Sequence, residues 1–187
     1  MGSNTRMDRD DWLELGLERL AAKGPRSLRL EDLCAAAGRT RGSFYHHFED
    51  HAAFLDALGD HWRRSHTEAL VDPPEERATA DRPRAIRRLA TRVDAATELG
   101  MRRLAAGNAR IQTVVDEVDR SRLDHMTRLH ASRPGVSRNQ AAAFAWLEYA
   151  AYVGSQALWP GVDPEELAKT GDLLGDCLEM VTAREPG

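Results

Sequence analysis

The sequence predicts an all-α protein, a three-helix N-terminal domain of helix-turn-helix type followed by a larger helical domain. Three observations carry that reading. Leu28–Leu55 holds two short amphipathic segments separated by a glycine turn. The remaining chain repeats apolar residues at helical spacing between Pro- and Gly-marked stops, with no alternating strand pattern. Ala, Leu, Arg and Glu dominate the 187 residues, which are enough for a small domain and one larger core.

The first helix is expected from about Asp8 to Ala22, with Trp12, Leu13, Leu17 and Leu20 inward and Gly24-Pro25 as its stop. In the next segment Leu30, Leu33, Cys34 and Ala37 form an i, i+3, i+4, i+7 stripe, and Gly38 ends it by taking a left-handed conformation. Arg29 stands where a Ser or Thr would cap this helix, so the cap falls to Ser27 or is weak, while Glu31 and Asp32 suit the helix dipole. Thr40 is placed to cap a following helix that turns Phe44 and Phe48 inward and leaves Arg41, Ser43, Tyr45, His46 and His47 outward. A second helix that presents Arg, Ser, Tyr and His across a tight turn fits a recognition helix in a DNA major groove.

The run Gly-Arg-Thr-Arg-Gly-Ser-Phe-Tyr-His-His-Phe at 38–48, followed by an apolar helix from His51, resembles the signature of TetR-family transcriptional regulators. The resemblance covers about the first quarter to third of the chain. It implies a DNA-binding domain over residues 1–52, a ligand-sensing and dimerisation domain over 53–187, and a cytoplasmic homodimer that binds double-stranded operator DNA. It also implies release from the operator by a small-molecule effector, without a cofactor. By position, Arg41, Gly42, Tyr45 and His46 lie where the family touches base edges and nearby phosphates, and Thr40 and His47 where it touches the backbone. Arg39, Ser43 and His51 complete the expected DNA-binding set. His51 departs from the lysine the family usually carries there to meet a phosphate; histidine is mostly neutral at pH 7.

A formal net charge of −4 is unusual for a DNA binder, but the charge is uneven. Between Lys23 and Phe48 the cations are Lys23, Arg26, Arg29, Arg39 and Arg41, and the carboxylates only Glu31 and Asp32. Local charge governs phosphate binding.

After the motif, His51–Leu70 reads as one long helix with Phe54, Leu55, Leu58, Trp62, Ser65, His66 and Ala69 inward, and 75–82 as a polar loop. Helices are expected over about 84–93, 94–106 and 109–132, the last with Ile111, Val114, Val115, Val118, Leu123, Met126 and Leu129 as its apolar set. Ser137–Leu158 places Ala142, Ala145, Trp146, Tyr149, Ala150, Val153 and Ala157 on one stripe. Asp163-Pro164-Glu165-Glu166 then starts a last helix with Leu167, Leu173, Leu174, Leu178 and Val181 inward. The last two helices resemble the family's dimerisation pair. By the same resemblance Trp62, His66, Met101, Met126, Trp146 and Tyr149 are candidates to line an effector pocket.

Other functional classes find little support. The two cysteines, Cys34 and Cys177, have no disulfide or zinc spacing and read as core residues. No apolar run approaches the roughly 18 residues of a membrane span, and no signal-peptide core is present. An enzyme would need convergent groups, yet there is no Gly-rich phosphate loop, Gly-x-Ser-x-Gly elbow or His-Glu-x-x-His. His46 and His47 are adjacent and point apart, a poor metal pair. The main rival is a helical ligand-binding module of the same fold with weak or lost DNA binding, favoured by His51 and the acidic Glu49-Asp50 beside it.

Overall fold

A computed structural model describes residues 7–65 and 94–183. All regular structure among the described residues is helical: α1 (Arg9–Lys23), a 3-10 turn (Pro25–Leu28), α2 (Leu30–Ala37), α3 (Arg41–Tyr45), α4 (His51–Arg63), α5 (Ala95–Ala105), α6 (Ala109–Ala131), α7 (Arg138–Leu158) and α8 (Pro164–Ala183). These residues divide into two compact units, 7–65 with 96–115 and 94–95 with 116–183. The domain of three helices expected over 1–52 lies within the first unit, which also takes in α4, most of α5 and the start of α6. The expected continuation of α4 to Leu70, the loop 75–82, the helix 84–93 and the candidate His66 lie outside the described residues. No helix among the described residues is long and apolar enough to cross a membrane.

In the first unit, the Asp8 carboxylate accepts from Asp11 N–H at 2.9 Å while Asp11 accepts from Asp8 N–H at 2.8 Å, a reciprocal cap that starts α1. Trp12, Leu13, Leu17 and Leu20 are buried as their spacing predicts. Gly16 lies among them because α4 crosses there. A Cβ at that position would stand 2.9 Å from Phe54 Cζ and 3.0 Å from Leu58 Cδ1. Phe54, Leu58 and Trp62 of α4 are buried in turn, and Asp50 caps α4 by accepting from Ala53 N–H at 2.7 Å. Ser65 differs from expectation: it is exposed, its hydroxyl spent on the His61 carbonyl at 2.8 Å.

Ser27 does not cap α2. Its hydroxyl is turned back toward the carbonyls of Arg19 (2.8 Å) and Gly24 (2.7 Å), which ties the 3-10 turn to α1, and α2 begins at Arg29 without a side-chain cap. Gly38, at φ 60° and ψ 36°, closes α2 in the left-handed region. Thr40 then starts α3 by accepting from Ser43 N–H at 3.3 Å.

In the second unit the core is more polar than the apolar spacing suggests. Val118, Ala141, Phe144, Ala145 and Tyr149 are buried, but so are Arg122, His125, His130, Glu148 and Gln156. His130 Nε2–H donates to Glu148 at 3.0 Å and its Nδ1 accepts from Arg133 at 3.2 Å, which binds α6 to α7. The face of α7 that packs on its own chain therefore runs through 141, 144, 145, 148, 149 and 156. Ala142, Trp146, Ala150 and Ala157 of the expected stripe are exposed. A capping box of Ser137 and Gln140 starts α7, and the Asp163 cap of α8 follows the sequence reading. Leu173 of the expected α8 stripe is exposed, as is Cys177, read from sequence as core; Cys34 is buried. The side chains of Leu178 and Val181 lie outside the described residues.

Candidate nucleic-acid interface

α3 has only five residues, too few to hold its shape alone, so its geometry comes from what it packs on. That support is aromatic. Phe44 is fully buried with ring centroids 5.4 Å from Trp12, 5.1 Å from Phe48 and 5.4 Å from Phe54. With Phe44 as the anchor, the rest of α3 and its flanks point away from the core. Thr40, Arg41, Gly42, Tyr45 and His46 are exposed, and Arg39, Ser43 and His47 are partly so. Tyr45 stands edge-on against Phe44 at 5.6 Å, which fixes its direction while half its surface stays open.

Gly42 is informative by what it does not do. Its backbone is not in the positive-φ region. An added Cβ would meet only Thr40 Oγ1, at 3.7 Å, an ordinary contact. Neither strain nor internal packing calls for glycine there. Its smallness leaves the exposed surface of α3 open to close approach from outside.

Arg41, the first residue of α3, forms an ion pair with Glu31 in the first turn of α2, across the glycine turn. Buried Cys34 feels the charges of both members of this pair. Burial pushes its thiol pKa up, Arg41 draws it down and Glu31 pushes it up. His51 has a structural role: its Nε2–H donates to the Leu28 carbonyl at 2.7 Å and fixes the start of α4 to the 3-10 turn. Only Nδ1 remains, an acceptor unless the ring is protonated, and phosphate oxygens are acceptors themselves.

Two residues near this surface escaped the sequence reading. Arg9 holds its guanidinium 5.3 Å from the Phe48 ring centroid, beside the end of the α3 segment. Glu31, read from sequence as a dipole partner and a local carboxylate, is the acidic member of the Arg41 pair. Both pairings join residues far apart in sequence, so neither leaves a periodic signal.

The expected pocket residues do not fall in one unit. Trp62 and Met101 are fully buried in the first. In the second, Met126 is half-buried, and Tyr149 is buried with its hydroxyl donating to Asp119 at 2.6 Å. Trp146 is 63% exposed, on the side of α7 away from the buried face of its own unit.

Residues 13–58 match the sequence model of bacterial regulatory proteins of the tetR family. Over 93% of its length the chain superposes on 98% of a TetR-family transcriptional regulator of Rhodococcus sp., with a TM-score of 0.69 at 18% identity. Over 92% it superposes on 94% of reduced NemR of E. coli, with a TM-score of 0.60 at 18% identity. At that identity the likeness is one of fold. No curated protein sequence matches the chain.

Proposed function

We propose that this chain, whose residues 13–58 match the tetR-family model and whose fold is like that of such regulators, is a sequence-specific repressor that binds operator DNA as a homodimer and is released by a small-molecule effector. The observation that carries the DNA reading is the exposed surface of α3, where Arg41, Tyr45 and His46 surround a glycine that neither backbone nor packing requires. In this reading Arg41, Gly42, Tyr45 and His46 meet base edges and nearby phosphates. Arg39, Thr40, Ser43 and His47 meet the backbone, Arg9 adds a phosphate contact, and His51 braces α4.

Dimerisation is assigned to α7 and α8, which pack together and expose Trp146, Leu147, Leu158 and Leu173, with Trp159 just beyond α7. Large side chains grouped on exposed helix faces favour association. Two copies would place two readers on two half-sites about one DNA turn apart. Sensing falls to the helical part beyond the reader, taken as residues 53–187. There Arg122, His125, His130, Glu148 and Gln156 make the interior polar. An effector that binds one arrangement of the dimer more tightly than the other shifts α4 and with it the reader spacing. The cytoplasm is the compartment that fits this work.

The test is selection of bound duplexes from a random library by the full-length protein, then titration of the enriched duplex and a scrambled one across a salt series. Enrichment of a two-fold symmetric sequence with steep salt dependence is expected. Equal, weak binding to every duplex would overturn the DNA reading in favour of a ligand-binding module. Gly42→Ala sharpens the test. Alanine is the better helix former by up to about 1 kcal/mol, so the melting temperature should hold or rise. Affinity for the enriched duplex should nonetheless fall by about tenfold, a cost of roughly 1.4 kcal/mol. Unchanged affinity would show that nothing approaches α3 closely.

A further inference from the structure

Arg41 is the one arginine within α3, and the structure pairs it with a carboxylate rather than leaving it to water. The pair is exposed, 62% for the arginine side chain and 65% for the glutamate, and ion pairs of that kind add little to stability. Its placement has another consequence. A carboxylate beside a DNA-reading surface repels the phosphate backbone unless a cation neutralises it, and here that cation is the reader's own arginine.

We propose that Glu31 sets the sequence selectivity of the reader by holding Arg41 in a fork that suits a base edge and is poorly available to phosphate. This inference rests on the DNA-binding reading above. A guanidinium carries five N–H donors. The bond to Glu31 is made through Nη2, and the donors that remain include enough for the two acceptors, O6 and N7, that a guanine presents in the major groove. The pair can thus survive docking on the correct base. A phosphate that reaches the same donors carries its negative charge up to the Glu31 carboxylate, whereas a guanine edge is neutral and meets no such repulsion. The pair therefore weakens binding to an arbitrary sequence while preserving binding at the right one, and it orders a long side chain before contact. Specificity built this way combines an attractive contact with a penalty on the wrong one.

The experiment uses the full-length protein and the duplex it enriches from a random library. Glu31→Gln keeps the shape of the side chain and removes its charge, and thermal melts should match wild type. It should bind a random duplex about threefold to tenfold more tightly, with a slope of log affinity against log salt steeper by about 0.9, the signature of one more phosphate contact. The ratio of enriched to random affinity should fall by about tenfold. Arg41→Ala should weaken the enriched duplex, and adding Glu31→Gln to it should change the ratio no further. A Glu31→Gln effect equal on both duplexes, with an unaltered salt slope, would overturn the proposal. So would a change in that ratio that persists in the Arg41→Ala background, because Glu31 would then discriminate alone, as an acceptor from a cytosine N4 amine. If the wild-type protein enriches no sequence, the DNA reading fails, and this inference fails with it.

Discussion

Phe44→Ala is expected to cost about 3–5 kcal/mol, the range for deleting a buried aromatic ring, and to abolish selective DNA binding with it. Phe44 is fully buried and touches four rings: Trp12 of α1, Tyr45 beside it, Phe48 and Phe54. Removing it empties the point where α1, α3 and α4 meet. A longer helix would survive such a loss through its own hydrogen bonds, but α3 spans five residues and has little shape of its own. Arg41, Tyr45 and His46 would lose their common orientation even at temperatures where α1 and α4 remain helical. Thermal and urea unfolding followed by tryptophan fluorescence checks the stability loss, since Trp12 stacks edge-on against Phe44 at 5.4 Å. Phe44→Leu, which keeps most of the volume, should fall well short of the alanine loss. A loss under about 1 kcal/mol for alanine would show that α3 is held by its caps and turn rather than by this ring.

The reader was legible because each of its features is local. Trp12, Leu13, Leu17 and Leu20 keep a single helical period, Gly38 marks a left-handed turn, and Thr40 is a cap, all within a few residues of what they act on. At the start of α2 the weaker of the two expected caps holds, because a hydroxyl near a helix start can turn either way and the carbonyls of Arg19 and Gly24 claim that of Ser27. In α7 the expected stripe divides: Ala145 and Tyr149 are buried in its own unit, while Ala142, Trp146, Ala150 and Ala157 are exposed. Alanines lie all round it, Glu148 and Gln156 are buried, and Trp146 and Leu147 are exposed. Hydrophobicity cannot separate the face that packs on its own chain from a second apolar face when polar groups such as Glu148 are satisfied inside by His130.

At the candidate interface the same distinction holds. The outward direction of Arg41, Tyr45 and His46 follows from the inward direction of Phe44 and Phe48, which spacing reveals. The pairings that tune these residues do not. Glu31 is ten positions from Arg41, the Leu28 carbonyl is 23 from His51, and Arg9 reaches Phe48 from another helix. Such contacts exist only once the chain has folded.

Trp146→Glu should split the dimer while leaving the protomer folded. Trp146 is 63% exposed in the single chain, so little of its own unit depends on it. It shares the exposed apolar side of α7 with Leu147, and α8 exposes Leu173. In a two-fold interface each residue appears twice, so one substitution introduces two carboxylates and removes two indoles. Buried tryptophans in interfaces commonly carry about 2 kcal/mol or more each; two would weaken dimerisation by roughly a thousandfold. Sedimentation equilibrium across a concentration series measures that shift, and circular dichroism should show an unaltered melt for the protomer. Selective DNA binding should fall with the dimer, since a lone reader occupies one half-site. Tyr45→Glu gives the opposite pattern. It places a carboxylate on the exposed surface of α3, so duplex binding should be lost while the sedimentation profile stays that of the dimer. Association unaffected by Trp146→Glu would move the interface off α7, and a wild-type protein that sediments as a monomer at every concentration would remove the dimer from the proposed mechanism altogether.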